Sequence, residues 1–243
     1  MPSNAPIWGA DGMLTVDGID CFYGEVQVLR GFSLAVEAGE ILCLLGRNGA
    51  GKTTALKAIM GLVPPRAGKV TIDDTDLTSL PAHEAPKRGL GYVPQGRRLF
   101  GELTVAENIE IGLMVNGHGK DTREKVLDLF PVLRERLSQV SGKLSGGEQQ
   151  MLAMARALCT EPKVLLMDEP TEGLQPSMIS RIREVVLSLK QTGVATILVE
   201  QRVDAVLPVA DRVAFIENGV NRDTVPVQTL RDDPDLLHRY VGV

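Results

Sequence analysis

The stretch Gly46-Arg47-Asn48-Gly49-Ala50-Gly51-Lys52-Thr53 decides the fold of this chain. An apolar run at 41–45 enters it, and a helical pattern that extends to Met60 follows it, so the sequence predicts a strand, a glycine-rich loop and a helix in succession. A glycine-rich turn that merely caps an ordinary strand-helix unit is the alternative. That alternative does not explain why a Lys-Thr pair stands at the start of the helix.

The residue types in this loop are those that bind phosphate. Gly46, Gly49 and Gly51 leave the backbone N–H groups free to turn inward around an anion, and the helix start adds its positive dipole end. Lys52 supplies a point charge for the outer phosphates, and Thr53 supplies a hydroxyl ligand for the accompanying Mg²⁺. The predicted nucleotide-binding residues of the loop are Gly46, Arg47, Asn48, Gly49, Ala50, Gly51, Lys52, Thr53 and Thr54.

Length and composition indicate one large domain, or one domain with an insertion, because 243 residues with 44% hydrophobic content can bury a substantial core. The net charge of −5 and the lack of runs of like charge argue against a nucleic-acid partner. The first basic residue is Arg30, and no apolar run approaches the ~18 residues of a membrane span. We therefore predict a cytoplasmic protein without a signal peptide or transmembrane segment.

Cysteines and histidines show no spacing typical of a metal site. The cysteines form no C-x-x-C pair and are predicted to be reduced thiols that act as small apolar residues. The histidines are scattered and are predicted to be solvated. These residues are Cys21, Cys43, Cys159, His83, His118 and His238.

Two strands are predicted before the loop. In the first, Leu14, Val16 and Ile19 alternate and Cys21-Phe22-Tyr23-Gly24 closes the strand, and the second runs from Val26 to Val36. Tyr23 has two interpretations. An aromatic residue at a strand end is usually part of the core, but ahead of a phosphate loop it could stack on a purine, a contact worth about 1 to 3 kcal/mol. The residues alone leave both interpretations open. Residues 1–12 are predicted to be a loose lead-in.

The pattern changes from strand to helix after Gln95. A short strand is predicted at Lys69–Ile72 and another at 91–95, which runs out to Gln95. From Thr104 to Cys159 the pattern is helical, and a capping box opens it. We therefore predict an α/β core formed by residues 1–94 and 160–243, with residues 95–159 inserted as a helical subdomain.

The last helix of this insertion begins unusually, at Leu144-Ser145-Gly146-Gly147-Glu148-Gln149. Ser145 and Glu148 form a second capping box. Gly146 and Gly147 each disfavour the first helical turn by about 0.8 to 1 kcal/mol, and an ordinary cap does not require them. Close approach of an anion to the helix N-terminus would explain the two glycines. A plain, well-capped helix is the alternative.

Two carboxylates follow the buried strand predicted at 163–167. Asp168 is predicted to hold Mg²⁺ through water, and Glu169 to orient or deprotonate a water molecule. Farther along, a helix is predicted from Pro176 to Gly193. The other predicted elements are a strand at Val194–Val199 with Gln201 beyond its exit, a hairpin at 213–220 and a short helix from Thr229 to Val243.

Taken together, these motifs resemble the ATP-binding-cassette (ABC) ATPase family over nearly the whole chain. The motifs that occur in the family's order and spacing are Tyr23, Gly46–Thr53, Gln95, Leu144–Gln149, Asp168-Glu169 and Gln201. The resemblance implies a RecA-like α/β P-loop NTPase core, an antiparallel β portion and a helical subdomain. It also implies that Tyr23 stacks on adenine, that Gln95 is a ligand of Mg²⁺ and senses the water, and that Glu169 is the catalytic carboxylate. Gln95 and Gln201 are the other two implied catalytic residues, and ATP and Mg²⁺ are the implied cofactors.

The resemblance also implies partners. In the family, the segment that corresponds to Ser145, Gly146, Gly147 and Glu148 closes over the ATP bound to another subunit. A head-to-tail dimer follows, either with a second ABC ATPase or with another copy. The family further implies transmembrane permease subunits that contact the region 97–100, a periplasmic solute-binding protein that acts indirectly, and a peripheral position on the cytoplasmic face of the inner membrane. A solvated basic pair beside a core Phe100 is the alternative for that region.

Three segments resemble the branched-chain amino acid importer branch, with urea and short-amide importers as close relatives: 94–100, 169–176 and 199–201. Gln175 stands where most members carry the D-loop Asp, and Gln201 where most carry a switch His. The leading hypothesis is therefore the ATPase subunit of a branched-chain amino acid importer. A soluble ABC ATPase usually has long coiled-coil insertions or two cassettes, and the sequence predicts neither, so this alternative is disfavoured. A metabolic P-loop kinase is disfavoured because it needs no Ser-Gly-Gly signature.

Overall fold

The computed structural model describes residues 13–233 together with Leu236 and Tyr240, and for Ala205 the backbone alone. The strands of this part are β1 Leu14–Tyr23, β2 Val26–Val36, β3 Ile41–Leu45, β4 Ala67–Ile72, β5 Thr75–Asp76, β6 Leu90–Val93, β7 Val164–Asp168, β8 Ala195–Val199, β9 Arg212–Glu217 and β10 Val220–Pro226. Its α-helices are α1 Lys52–Ile59, α2 Val105–Met114, α3 Lys120–Leu129, α4 Pro131–Arg134, α5 Gly146–Leu158, α6 Pro176–Gln191, α7 Val203–Val206 and α8 Val227–Asp232.

A six-stranded sheet in the order β10-β9-β3-β8-β7-β6 forms the centre of the protein. The pairs β9·β3, β3·β8, β8·β7 and β7·β6 are parallel, and β10 joins as an antiparallel edge strand. Every residue of β3, β7 and β8 is buried, as expected for parallel strands covered on both faces. Because the carboxyl ends of parallel strands meet at one edge of a sheet, the segments that follow β3, β6, β7 and β8 lie together there.

Strand β3 separates the two hydrophobic cores. Its residues 41, 43 and 45 pack into a cluster with α2, α3, α5 and α6, whereas residues 42 and 44 pack into a cluster with α1 and the second sheet. That second sheet has four antiparallel strands in the order β2-β1-β4-β5. The predicted fold class, an α/β core with an antiparallel β portion and a helical part, is confirmed.

The helices between β6 and β7 agree only in part with the helical pattern predicted from Thr104 to Cys159. Both capping boxes are present, at Thr104 and at Ser145. Between α4 and α5, however, the chain forms turns, because Ser141 donates its backbone N–H to Leu103 and Thr104 forms an isolated β-bridge with Val140. Helix α5 shares a hydrophobic cluster with the central sheet, and the division at residues 95 and 159 stays a prediction.

Strand boundaries also differ from the prediction. Strand β6 ends at Val93, and Gln95 lies in the turn beyond it, because Pro94 has no backbone N–H to extend the ladder. Helix α8 begins at Val227, two residues before the predicted start at Thr229. Most of the predicted tail after Asp233 and the predicted lead-in at 1–12 lie outside the described residues.

The closing hairpin of β9 and β10 is hydrogen-bonded to the phosphate loop. The backbone N–H of Gly219 in its turn donates to the carbonyl of Ala50 at 2.9 Å, and Gly219 accepts from Arg30 at 2.9 Å. A Cβ on Gly219 would lie 1.9 Å from the carbonyl oxygen of Val28, and Gly219 has a φ of 79°. Only glycine therefore fits in this turn.

The thiols behave as predicted. All three cysteines are buried and none is disulfide-bonded, and burial raises the pKa of Cys21 to about 11 and that of Cys159 to about 12.

His83 is exposed and His118 is partly exposed, whereas His238 lies outside the described residues. None of the helices described here is long and apolar enough to cross a membrane.

Candidate functional site

The glycine-rich loop between β3 and α1 has the backbone geometry of an anion cradle. Gly49 and Gly51 have φ values of 79° and 110°, which side chains disfavour. A Cβ on Gly46 would lie 2.3 Å from the carbonyl oxygen of Ile216. Gly51 caps α1 without a side-chain hydrogen bond, so the N–H groups of the first turn stay open to an anion.

Lys52 extends its side chain back over this loop. Only 5% of the residue is exposed, and Nζ donates to the carbonyl oxygens of Gly46 at 2.7 Å and Arg47 at 3.1 Å. Burial lowers the pKa of Lys52, while the charges of Glu169 and Asp168 act in the opposite direction. The ammonium group is therefore held at the loop, where a phosphate would compete with the two carbonyls for it.

The carboxylate of Asp168 lies at the end of β7. Its Oδ1 accepts a hydrogen bond from Thr53 Oγ1 at 3.1 Å, whereas Oδ2 is buried and has no hydrogen-bond partner among the residues that the structure describes. Burial raises the pKa of Asp168, and the charge of Glu169 raises it further, against the hydrogen bond from Thr53. A buried carboxylate oxygen without compensation is costly. This oxygen, beside the Thr53 hydroxyl, fits a divalent cation.

We expect Asp168→Asn to stabilise the nucleotide-free protein at pH 8 by about 0.5 to 2 kcal/mol. The pKa of Asp168 is raised in the folded state, so ionisation of Asp168 lowers the free energy of unfolding as the pH rises toward and through that pKa. Below the unfolded-state pKa of about 3.9 the carboxyl is protonated in both states, and the advantage of Asn disappears. Urea unfolding in EDTA between about pH 4 and 8 measures the difference. The exposed Asp17→Asn serves as the control. An equal effect of Asp168→Asn at both pH limits would contradict the expectation.

Glu169 receives hydrogen bonds from both predicted glutamines. Gln95 Nε2 donates to Glu169 Oε2 at 3.1 Å, and Gln201 Nε2 donates to Glu169 Oε1 at 2.6 Å. Glu169 has a φ of 50°, and its N–H donates to Val199 at 2.9 Å. A left-handed backbone at a non-glycine residue is a strain that clusters at functional sites. The structure thus brings together the three predicted catalytic residues from the ends of β6, β7 and β8.

The contact of Gln201 with Glu169 favours a positioning role over proton relay. An amide donates fixed hydrogen bonds, whereas a histidine titrates near neutral pH. We expect Gln201→Ala to lose about ten- to a hundredfold in ATPase rate. We expect Gln201→His to be near neutral and to add no pH dependence between about 6 and 7. Steady-state rates of the three proteins between about pH 5.5 and 8.5 test this, and full activity of Gln201→Ala would remove the residue from the site.

Two further carboxylates belong to this network, and sequence reasoning missed them. Glu172 Oε2 accepts from Gln95 Nε2 at 3.0 Å. Glu200, only 3% exposed, accepts from the backbone N–H of Thr171 at 3.1 Å and from its hydroxyl at 2.7 Å. Burial raises the pKa of Glu200. Their nearness in sequence to Glu169 and Gln201 was the only available signal.

The two aromatic residues with open interpretations are both outside the core. Tyr23 is 48% exposed at the end of β1, so the core interpretation is wrong and base stacking stays a prediction. Phe100 is 49% exposed, so the alternative of a core Phe100 is also wrong. The guanidinium of Arg156 lies over the Phe100 ring, 5.2 Å from its centroid. The Phe100 ring therefore lies at the surface with Arg156 over one of its faces, and the neighbouring Arg98 is exposed.

The glycines at the start of α5 have a packing role that the sequence did not indicate. A Cβ on Gly147 would lie 2.5 Å from Met178 Cγ, and a Cβ on Gly146 would lie 2.9 Å from the Arg97 guanidinium. Ser145 is exposed and accepts from the Glu148 N–H at 3.3 Å. Within the described residues, no hydrogen bond joins Ser145 to the phosphate loop. Anion binding at this helix start therefore stays a prediction.

Comparison with known proteins places this geometry in context. Residues 29–172 match the family model described as ABC transporter. Over 236 residues the chain is 41% identical to the high-affinity branched-chain amino acid transport ATP-binding protein BraG of Pseudomonas aeruginosa, covering 95% of this chain and 100% of BraG. It is 38% identical over 210 residues to the probable branched-chain amino acid transport ATP-binding protein LivF of Archaeoglobus fulgidus, covering 85% and 89%. It is 33% identical over 228 residues to the lipopolysaccharide export system ATP-binding protein LptB of Escherichia coli, covering 90% and 93%.

Solved structures with the same fold are ATP-binding cassettes. A nucleotide-free cassette from an ABC transporter has a TM-score of 0.85 at 26% identity and covers 95% of this chain and 98% of its own. A dimeric cassette in a post-hydrolysis state, bound to ADP and phosphate, has a TM-score of 0.80 at 26% identity and covers 88% and 99%.

Proposed function

Because the chain belongs to the ABC transporter family and is one of its ATP-hydrolysing subunits, we propose that it powers an importer of branched-chain amino acids. One observation carries the chemistry. Side chains from the carboxyl ends of β3, β6, β7 and β8 meet at one edge of the central sheet, where the phosphate loop faces a carboxylate held by two amides. The solute is supported by the 41% identity with BraG over nearly the whole chain.

In the proposed reaction, the loop and Lys52 hold the phosphates of ATP. Thr53 and Asp168 would hold Mg²⁺, which neutralises charge on the phosphates, and the orphaned Oδ2 of Asp168 supports that role. Gln95 is the third proposed metal ligand. Glu169 orients or deprotonates the attacking water, and its two amide partners hold the carboxylate in place. Phosphoryl transfer depends mostly on such positioning and on electrostatics.

The proposed working unit is a head-to-tail dimer with a second ABC ATPase subunit or with another copy. In this arrangement, the helix start at Ser145–Glu148 completes the site of the other subunit. The similar dimeric cassette bound to ADP and phosphate supports this assembly. The permease would contact the surface around Arg97, Arg98 and Phe100, on the cytoplasmic face of the inner membrane, and a periplasmic solute-binding protein would deliver the solute.

Uptake experiments test the solute assignment. Cells that lack this subunit should lose uptake of labelled leucine or isoleucine, wild-type protein should restore it, and Glu169→Gln should not. Loss of urea or short-amide uptake instead would favour the alternative importer. The likeness to LptB makes lipopolysaccharide export the competing outcome, and a defect there with normal solute uptake would overturn the importer assignment. Permease subunits that co-purify with the protein provide an independent check.

A further inference from the structure

Glu172 is hydrogen-bonded to Gln95 of the candidate site, although it lies outside the phosphate loop and does not end a strand. Both hydrogens of the Gln95 side-chain amide are used, one on Glu169 Oε2 at 3.1 Å and the other on Glu172 Oε2 at 3.0 Å. An ionised carboxylate only accepts hydrogen bonds. The two carboxylates therefore fix the amide with its nitrogen toward them, so its carbonyl oxygen must face away.

The backbone holds Glu172 rigidly in this place. Its N–H donates to the carbonyl of Glu169 at 3.2 Å, which closes a turn that brings the two carboxylates to one side. In the middle of this turn, Thr171 is fixed by its backbone and side-chain hydrogen bonds to the buried Glu200. The position of the Glu172 backbone is thus set by buried groups, whereas its side chain is exposed.

We infer that Glu172 is a positioning residue that orients the amide of Gln95, so that the amide oxygen is available to the metal. The inference rests on the proposed Mg²⁺-ATP site. Glu169 shares its two carboxylate oxygens among Gln95, Gln201 and, in the proposed reaction, the attacking water. Glu172 gives Gln95 a second acceptor that takes no part in that reaction, and this acceptor keeps the amide from rotating by 180°.

Metal binding measures this role separately from turnover. Binding of Mn²⁺ to the full chain with the non-hydrolysable analogue AMP-PNP is followed by electron paramagnetic resonance. We expect Glu172→Ala to weaken Mn²⁺ binding by about three- to tenfold, less than a buried charge-assisted hydrogen bond is worth, because Glu172 is exposed. Glu172→Gln keeps an acceptor oxygen and should stay within about twofold of wild type. Glu135→Ala removes the same charge from an exposed position and should have no effect.

A double-mutant cycle supplies the decisive comparison. Because Glu172 acts through Gln95, Glu172→Ala should add no further loss in a Gln95→Ala background. An equal loss in both backgrounds, or a loss in Glu172→Gln as large as in Glu172→Ala, would overturn the inference. Unchanged Mn²⁺ binding in Gln95→Ala would overturn it together with the proposed metal role of Gln95. Failure of the wild-type protein to bind AMP-PNP would overturn the proposed function itself.

Discussion

Glu169→Gln is expected to slow ATP hydrolysis by about 10²- to 10⁴-fold, the usual contribution of a positioned general base. Gln95 and Gln201 donate to different oxygens of the carboxylate, at 3.1 and 2.6 Å, and the neutral amide keeps an acceptor oxygen for one of them. It cannot take a proton from water at neutral pH. Binding of ATP should persist, because Lys52 and Asp168 are unchanged. Single-turnover hydrolysis and equilibrium ATP binding separate the two effects.

The same variant should reveal the dimer. If ATP closes two subunits over shared sites and hydrolysis opens them, ATP should hold Glu169→Gln as a dimer on a sizing column. Glu135→Gln, an exposed carboxylate on the helical part, should hydrolyse ATP like the wild type. A monomer in saturating ATP, tested with any co-purifying ATPase present, would count against sites composed from two subunits.

The second large effect is expected for Lys52→Ala, which should weaken ATP binding by about 10- to 150-fold. The ammonium makes a charge-assisted contact worth about 1.5 to 3 kcal/mol, and its loss leaves phosphate charge unpaired. The same group donates to the carbonyls of Gly46 and Arg47 at 2.7 and 3.1 Å. Removing it frees both carbonyls, so a smaller loss of stability should accompany the loss of binding.

Lys125→Ala is the matched control, because Lys125 is a largely exposed lysine on α3. Among the described residues its only ion pair is with Glu161, at 3.8 Å. Its removal should change neither ATP affinity nor unfolding. Equilibrium titration with a fluorescent ATP analogue compares the three proteins. Unchanged affinity in Lys52→Ala would reject the assignment of residues 46–53 as the phosphate site.

Those parts of the fold that depend on local pattern were predictable from sequence. Strand β3, the glycine loop and α1 follow from a short apolar run, residues that tolerate positive φ, and a helix start. Both capping boxes were predicted correctly because they join residues three apart. The positions of Asp168 and Glu169 followed from the buried strand before them.

Contacts between distant segments were not predictable in the same way. The packing of Gly147 against Met178 and the bond from Gln95 to Glu172 depend on how two elements approach, which no local pattern records. Phe100 was assigned to the core in one alternative because hydrophobicity alone does not distinguish a core residue from an exposed one. Only tertiary structure could settle these points.

The hairpin of β9 and β10, which contacts the phosphate loop, is synthesised much later than the loop itself. The loop is completed by a hydrogen bond from Gly219 to Ala50, and its Gly46 packs against Ile216. At about 5 to 20 residues per second, the ribosome completes the hairpin on the order of ten seconds after it has completed the loop. A ribosome-bound chain can therefore display the complete phosphate-binding sequence without its supported geometry. Any ATP binding that depends on these contacts can therefore begin only after the hairpin has been synthesised and has folded.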